Sequence, residues 1–335
     1  MKKRLNRFFI ALAVLLAACN DTIESDSEDG NWVKQSDFEG VTRSGAFSFT
    51  IGDFAYVGLG FDGDDYVTDF WRYDADRNFW EEMAEFPGEG RISAAAFSVD
   101  GKGYVGTGYN GDLEVEELQD FWEYDPDANT WTEIAPFGGG ARYSSVAFTL
   151  NGRGYVGTGF DGNYLKDFWA YDPVTNEWTQ TISLFGSKRE GAVAFVVDGV
   201  AYVGSGRNNG QYLFDFWSFR PEEDTWVDLS LDSDDDDYDL FASALARYDA
   251  VSFVSEGKAY IATGLADAFL SSVYSYDPAL NLWEDEYTLF EGVSRSDAVA
   301  FSINDVGYIA TGRSVSLRHD DIWSFDPEAE YDEFD

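Results

Sequence analysis

One cysteine and one histidine in 335 residues exclude a good deal of chemistry. No internal disulfide can form. A histidine-based zinc site, a Ser-His-Asp triad and a Cys-His pair all find poor support in His319 and Cys19 alone. Basic residues are scarce too: 22 Lys and Arg stand against 63 Asp and Glu, a net charge of -41. So negative a surface repels nucleic acid and anionic lipid headgroups, and it keeps an exported protein soluble. The apolar run at residues 8–16 is too short to span a bilayer. No phosphate-cradling loop appears, because the Gly-Thr-Gly pieces sit inside strand patterns rather than between a strand and a helix. Apolar and aromatic material is plentiful, at 44% and 18%, so the chain can build a large core.

The lone cysteine has a position that explains it. Lys2, Lys3, Arg4 and Arg7 precede the apolar run, and Leu16-Ala17-Ala18-Cys19 follows it. This order resembles a bacterial lipoprotein signal, which implies cleavage before Cys19 and acylation of its thiol. Several acyl chains anchor stably where one binds only marginally. Residues 1–18 are therefore expected to be a signal peptide; without them 18 basic residues face 63 acidic ones. Residues 19–31 are polar, acidic and aperiodic, and are expected to form a flexible tether. An acidic cluster directly after such a cysteine resembles the surface-export signal of Bacteroidetes lipoproteins. The expected location is the cell envelope, in the outer membrane, through the lipid anchor alone, with the outward or periplasmic side left open.

From Trp32 onward the chain repeats. Asp69-Phe70-Trp71, Asp120-Phe121-Trp122, Asp167-Phe168-Trp169, Asp215-Phe216-Trp217 and Asp321-Ile322-Trp323 hold five of the 11 tryptophans. The other six precede an arginine by 11, 12 or 21 residues: Trp32, Trp80, Trp131, Trp178, Trp226 and Trp283. Those arginines, Arg43, Arg91, Arg142, Arg189, Arg247 and Arg295, are 48, 51, 47, 58 and 48 residues apart. Within a unit, Asn151-Gly152 reads as a hairpin turn, Asp172-Pro173 opens a second turn, and four short strands result. A period near 50 with four strands per unit predicts a β-propeller of six blades in one domain, residues 32–335. The sixth unit lacks its outer tryptophan, since Phe325 plus seven is Asp332. Trp32 supplies it, so the N-terminal strand is expected to close the last blade and remove an open edge.

The order arginine, apolar strand, Tyr-Val-Gly-Thr-Gly, aromatic-Asp-Pro and Asn-x-Trp is similar to the kelch repeat, in its bacterial galactose-oxidase-like variant. The resemblance covers residues 32–327 and implies an all-β, six-bladed kelch-type propeller. Units five and six depart from it, with Ala262-Thr263-Gly264, Ala310-Thr311-Gly312 and Ser272-Val273-Tyr274. Galactose oxidase activity is not expected, because that family needs two histidines and a cysteine crosslinked to a tyrosine.

In kelch propellers the arginine-bearing loops and the loops between strands two and three open on one face. Arg43, Arg91, Arg142, Arg189 and Arg295 each have an aspartate in their own blade, which favours structural pairing over a ring at the channel mouth. Arg247 has Ser272 instead, so it is expected to be free and the leading ligand contact, with Arg207, Arg313 and Arg318 beside it. The Asp-Gly loops and the acidic segment 232–239 read as turns and solvated loop, with loose calcium binding or a flap as alternatives. No cofactor or metal is otherwise called for. Two functions fit: a non-enzymatic, monomeric binding module for a glycan or protein, or a sugar-modifying enzyme resembling the sialic-acid mutarotase. That resemblance is to a six-bladed kelch protein that opens and closes a sugar ring.

Overall fold

Each unit alternates apolar and small residues over five positions and then turns, which suits short strands buried on both faces. The computed structural model describes residues 29–332 and contains six four-stranded antiparallel sheets. Blade three shows the plan, with strands Val146–Leu150, Arg153–Gly157, Phe168–Asp172 and Glu177–Gln180 running from the channel outward. Asn151 takes φ 49° and Gly152 φ 71° at the first hairpin, as the sequence predicts.

The last blade is closed from both ends of the chain. Strand Asp29–Lys34 pairs antiparallel with Ile322–Glu330, placing Trp32 opposite Phe325. Trp32 is fully buried and packs on Phe325, Phe290 and Phe253, with ring centroids 4.6, 5.0 and 6.4 Å away. The strand begins three residues before the expected propeller boundary, because Asp29 also bonds to blade five through the Glu286 carbonyl.

Aromatic contacts repeat within and between blades; Tyr104 of blade two meets Tyr171 of blade three at 5.5 Å, and Tyr202 of blade four meets Tyr276 of blade five at 5.5 Å. A first-strand phenylalanine stacks on a second-strand tyrosine in every blade, as in Phe148–Tyr155 at 5.3 Å and Phe301–Tyr308 at 5.3 Å. The departures in units five and six have a packing cause. Gly157 lies opposite Phe168, and a Cβ there would sit 2.4 Å from the phenyl ring. Ala262 and Ala310 instead lie opposite Val273 and Ile322, whose smaller side chains leave room for a methyl. The two substitutions compensate, so blade five keeps its register.

The ten-residue insertion before Arg247 keeps its acidic residues 232–237 exposed, as expected, and only its later part departs from a loop. That part folds into the helix Tyr238–Leu245, whose Phe241, Ala244 and Leu245 are buried. Phe241 meets Trp283 at 6.2 Å, so the helix extends the core between blades four and five. Among the described residues no helix is long and apolar enough to cross a membrane.

Candidate functional site

The six arginines come first, because they decide what the loop face has left to offer. All are buried, at 0–1% exposure. In blade three, Arg142 donates from Nη1 to the Thr158 carbonyl (3.0 Å) and Asp167 Oδ1 (2.8 Å), and from Nη2 to Asp167 Oδ2 (3.0 Å). Trp169 Nε1 donates to the same Oδ2 at 2.8 Å, and the Phe137 ring lies 4.9 Å from the guanidinium carbon. Thr158 has φ 59°, a left-handed turn that aims its carbonyl at the arginine. The middle residue of the Gly-Thr-Gly piece is therefore the arginine's acceptor.

The same knot forms at Arg43 with Asp69, Arg91 with Asp120 and Arg295 with Asp321; Arg189 reaches Asp215 through Nη2 at 2.5 Å. Burial by itself would raise the aspartates, but arginine and tryptophan donors outweigh it and hold Asp120, Asp167, Asp215 and Asp321 below the usual carboxylate range. These five arginines are internal braces and do not line a mouth.

Arg247 is the correction. It is 1% exposed and is not a free contact. Nη1 donates to the carbonyls of Thr263 (3.0 Å) and Ser272 (3.3 Å), and Nη2 to Ser272 Oγ (3.0 Å) and the Ser243 carbonyl (3.3 Å). Tyr274 takes the tryptophan's place, 5.0 Å from the guanidinium. Burial without a carboxylate partner pushes its pKa down to about 10. Neutral acceptors, one of them on the inserted helix, have replaced the aspartate.

The mouth itself is built two residues after each arginine, at Gly45, Ser93, Ser144, Gly191, Asp249 and Asp297. All six have φ between 49° and 68°. Each N–H donates to the carbonyl of the same position in the preceding blade: Gly45 to Asp297 (2.8 Å), Ser93 to Gly45 (2.9 Å), Ser144 to Ser93 (3.1 Å), Gly191 to Ser144 (3.1 Å), Asp249 to Gly191 (2.9 Å) and Asp297 to Asp249 (3.1 Å). A closed belt of six backbone hydrogen bonds thus rims the channel. These residues, with the small residues that follow them, line a cavity of about 160 Å³. Further in, the channel is walled mainly by alanines such as Ala96, Ala147, Ala194 and Ala300, so little chemistry lies along its length.

Above the belt, each arginine-bearing loop bridges to its neighbour between strands two and three, and these bridges divide the rim in two. Blades one to three contribute Phe61, Ile92, Tyr109, Tyr143 and Phe160. Tyr109, Tyr143, Phe160 and Tyr164 form a run of rings with centroids 5.1, 5.7 and 5.0 Å apart. Blades four to six contribute Glu190, Arg207, Tyr248, Leu265, Ser296 and Arg313, so the charged residues of the rim gather here, above Asp249 and Asp297 of the belt. Arg207 Nε donates to Glu190 Oε1 at 2.8 Å, and Arg313 Nε donates to Asp297 Oδ2 at 2.7 Å. Burial, and then the Asp297 carboxylate, push Asp249 well above the ordinary carboxylate range.

Of the sequence-predicted contacts, Arg207 and Arg313 are therefore in the polar arc. Arg318 lies over Phe61, 4.7 Å from the ring centroid, at the blade six to blade one junction. Cys19 lies outside the described residues. Among those residues no group of three His, Cys, Asp or Glu side chains converges as a metal set. Asp249, Asp297 and Glu190 were not anticipated. The signal was available by reading the second residue after each arginine, where Gly and Ser give way to Asp twice.

Comparison with known proteins agrees with this architecture. Residues 141–181 match a family described as Kelch motif. A solved structure described as "Structure of YjhT" aligns with a TM-score of 0.71 at 18% identity, covering 86% of this chain and 95% of that one. No curated protein matches the chain. The chain is a six-bladed propeller carrying a kelch motif.

Proposed function

We propose that this chain is an envelope-anchored, non-catalytic binding module that captures a glycan on its loop face. One observation carries the reading: a polar arc and an aromatic arc lie on the same loop face, around the channel mouth. Sugars present apolar C–H faces and hydroxyl edges, and pockets that hold them combine aromatic walls with a few placed polar groups. The accounting of charge supports binding over catalysis. All six repeat arginines are spent inside the blades, and Arg207 and Arg313 already hold carboxylates.

The second reading, a sugar-modifying enzyme working by acid–base chemistry, draws on Asp249, a carboxyl with a raised pKa at a concave mouth. A glycan array with the mature protein, followed by NMR of anomer exchange on any hit, tests both. Binding without accelerated exchange supports the module, accelerated exchange supports the enzyme, and binding only to proteins removes both sugar readings. The anchor is tested separately: Cys19→Ser should leave the protein unprocessed or release it from membranes. A processed mutant that still sediments with membranes would contradict the lipoprotein assignment.

A further inference from the structure

We infer that the polar arc is a diol site, in which Asp249 between Arg207 and Arg313 takes paired hydroxyls of an uncharged sugar and turns acidic sugars away. This rests on the glycan reading above and names its ligand class.

Asp249 differs from its neighbours. Asp297 accepts hydrogen bonds from Arg313 Nε (2.7 Å) and Ser296 Oγ (2.7 Å), and Glu190 accepts one from Arg207 Nε (2.8 Å). Among the described residues no donor is bonded to the Asp249 carboxylate, although it lines the mouth cavity and feels both guanidiniums. Asp249 is half-buried and faces the cavity, so its acceptors are open to water or to a bound ligand. The fold makes room for this one. Gly191 occupies the belt position of the preceding blade, where a Cβ would lie 2.5 Å from Asp249 Oδ1. Asp249 itself has φ 49°, a conformation that aspartate tolerates better than most residues.

The two arginines supply the complementary half. Each is hinged by Nε to a carboxylate and backed by a ring: Arg207 on Tyr248 at 4.0 Å and Arg313 on Phe269 at 5.7 Å. Their Nη groups have no acceptor among the described residues. Two fixed forks of donors thus flank an open double acceptor. A pair of neighbouring hydroxyls meets both demands, since each donates its hydrogen to the carboxylate and accepts from a guanidinium.

Charge selects against acidic ligands. With Asp249 ionised, the carboxylates Glu190, Asp249 and Asp297 in this arc outnumber the guanidiniums Arg207 and Arg313 by one, in a protein of net charge -41. A uronate or sialate carboxylate placed here would face that unpaired like charge as well as the overall negative field of the protein. Acid should weaken diol binding. The groups facing Asp249 are Asp297, Glu190, Arg207, Arg313 and Tyr248, and burial with the Asp297 carboxylate beside it raises its pKa, so it takes up a proton as pH falls. Protonation replaces a double acceptor with a weaker one.

The experiment is calorimetric titration of the mature protein at pH 7. The probes are neutral manno-, xylo-, cello- and malto-oligosaccharides, oligogalacturonate, and chitosan oligomers as cationic sugars. At least one neutral series should bind, and neither charged series should bind better. Asp249→Asn and Asp249→Ala should each weaken that binding about tenfold or more, since hydrogen bonds to a charged group are lost. Both variants should keep or raise Tm, because a carboxyl crowded by Asp297 and without a protein donor is removed. Preference for the uronate or the amine, or unchanged neutral binding in both variants, overturns the diol site and leaves the glycan reading standing. No binding by any sugar on the array, with the protein folded, overturns the glycan reading and the diol site together.

Discussion

Blades three and five bury the same arginine in the same place and satisfy it in different ways. Arg142 meets the carboxylate of Asp167, which Trp169 also holds. Arg247 meets a serine hydroxyl, three carbonyls and a tyrosine ring. One arginine is neutralised by a charge and the other is only solvated by dipoles. A break in a repeat therefore does not mark a free residue. The substitution of Ser272 for aspartate travels with Tyr274 for tryptophan and with the inserted helix that brings the Ser243 carbonyl. Function is better sought where the blades differ without any such compensation, as at Asp249.

The comparison can be broken most severely in blade three. Asp167→Ala should cost about 3–5 kcal/mol in urea unfolding, because it leaves Arg142 buried without its counter-charge. A loss near that of Ser272→Ala would mean that the carboxylate contributes no more than a hydroxyl does.

Acid sharpens the same contrast. Asp120, Asp167, Asp215 and Asp321 are held low in the fold, so their stabilisation is present above the unfolded value of about 3.9 and is lost as pH falls through and below it. Asp249 runs the other way. Its folded pKa is raised, so its ionisation costs stability above that pKa, and the cost is relieved as pH falls toward about 4. Urea midpoints should therefore fall steeply between pH 4 and pH 3. The Asp167→Ala protein should lose less over that range than wild type, and an equal loss would remove Asp167 from the acid-sensitive set.

The smallest effects belong to blade five. Ser272→Ala should cost about 1.5–3 kcal/mol for one hydrogen bond to a charged group. Ser272→Asp should raise Tm by giving Arg247 the partner it lacks. A fall in Tm would show that blade five has settled on neutral acceptors and excludes the charge.

Much of this was legible in the sequence because it repeats. Six arginines, five aspartates and the displaced Trp32 place the knots and the closing strand without coordinates. What was not legible depends on partners far away in sequence. Ala262 and Ala310 look like defects until Val273 and Ile322 are seen opposite them. Arg247 looks free until the acidic segment before it is seen to continue into a packed helix, foreshadowed by Phe241, Ala244 and Leu245 at helical spacing. Asp249, Asp297 and Glu190 sit in different blades, and only closure of the ring brings them to one arc. Arg207 and Arg313 were found as loop arginines, but not the carboxylates that hinge them.

Hydrogen exchange of the mature protein, with and without its best-binding neutral oligosaccharide, tests most directly whether this face is the binding surface. Slowed exchange should concentrate at the rim, in residues 190–191, 207–213, 248–250, 296–297 and 313–319. Protection confined to the hairpins of the opposite face, around residues 100–101, 151–152 and 256–257, would contradict it.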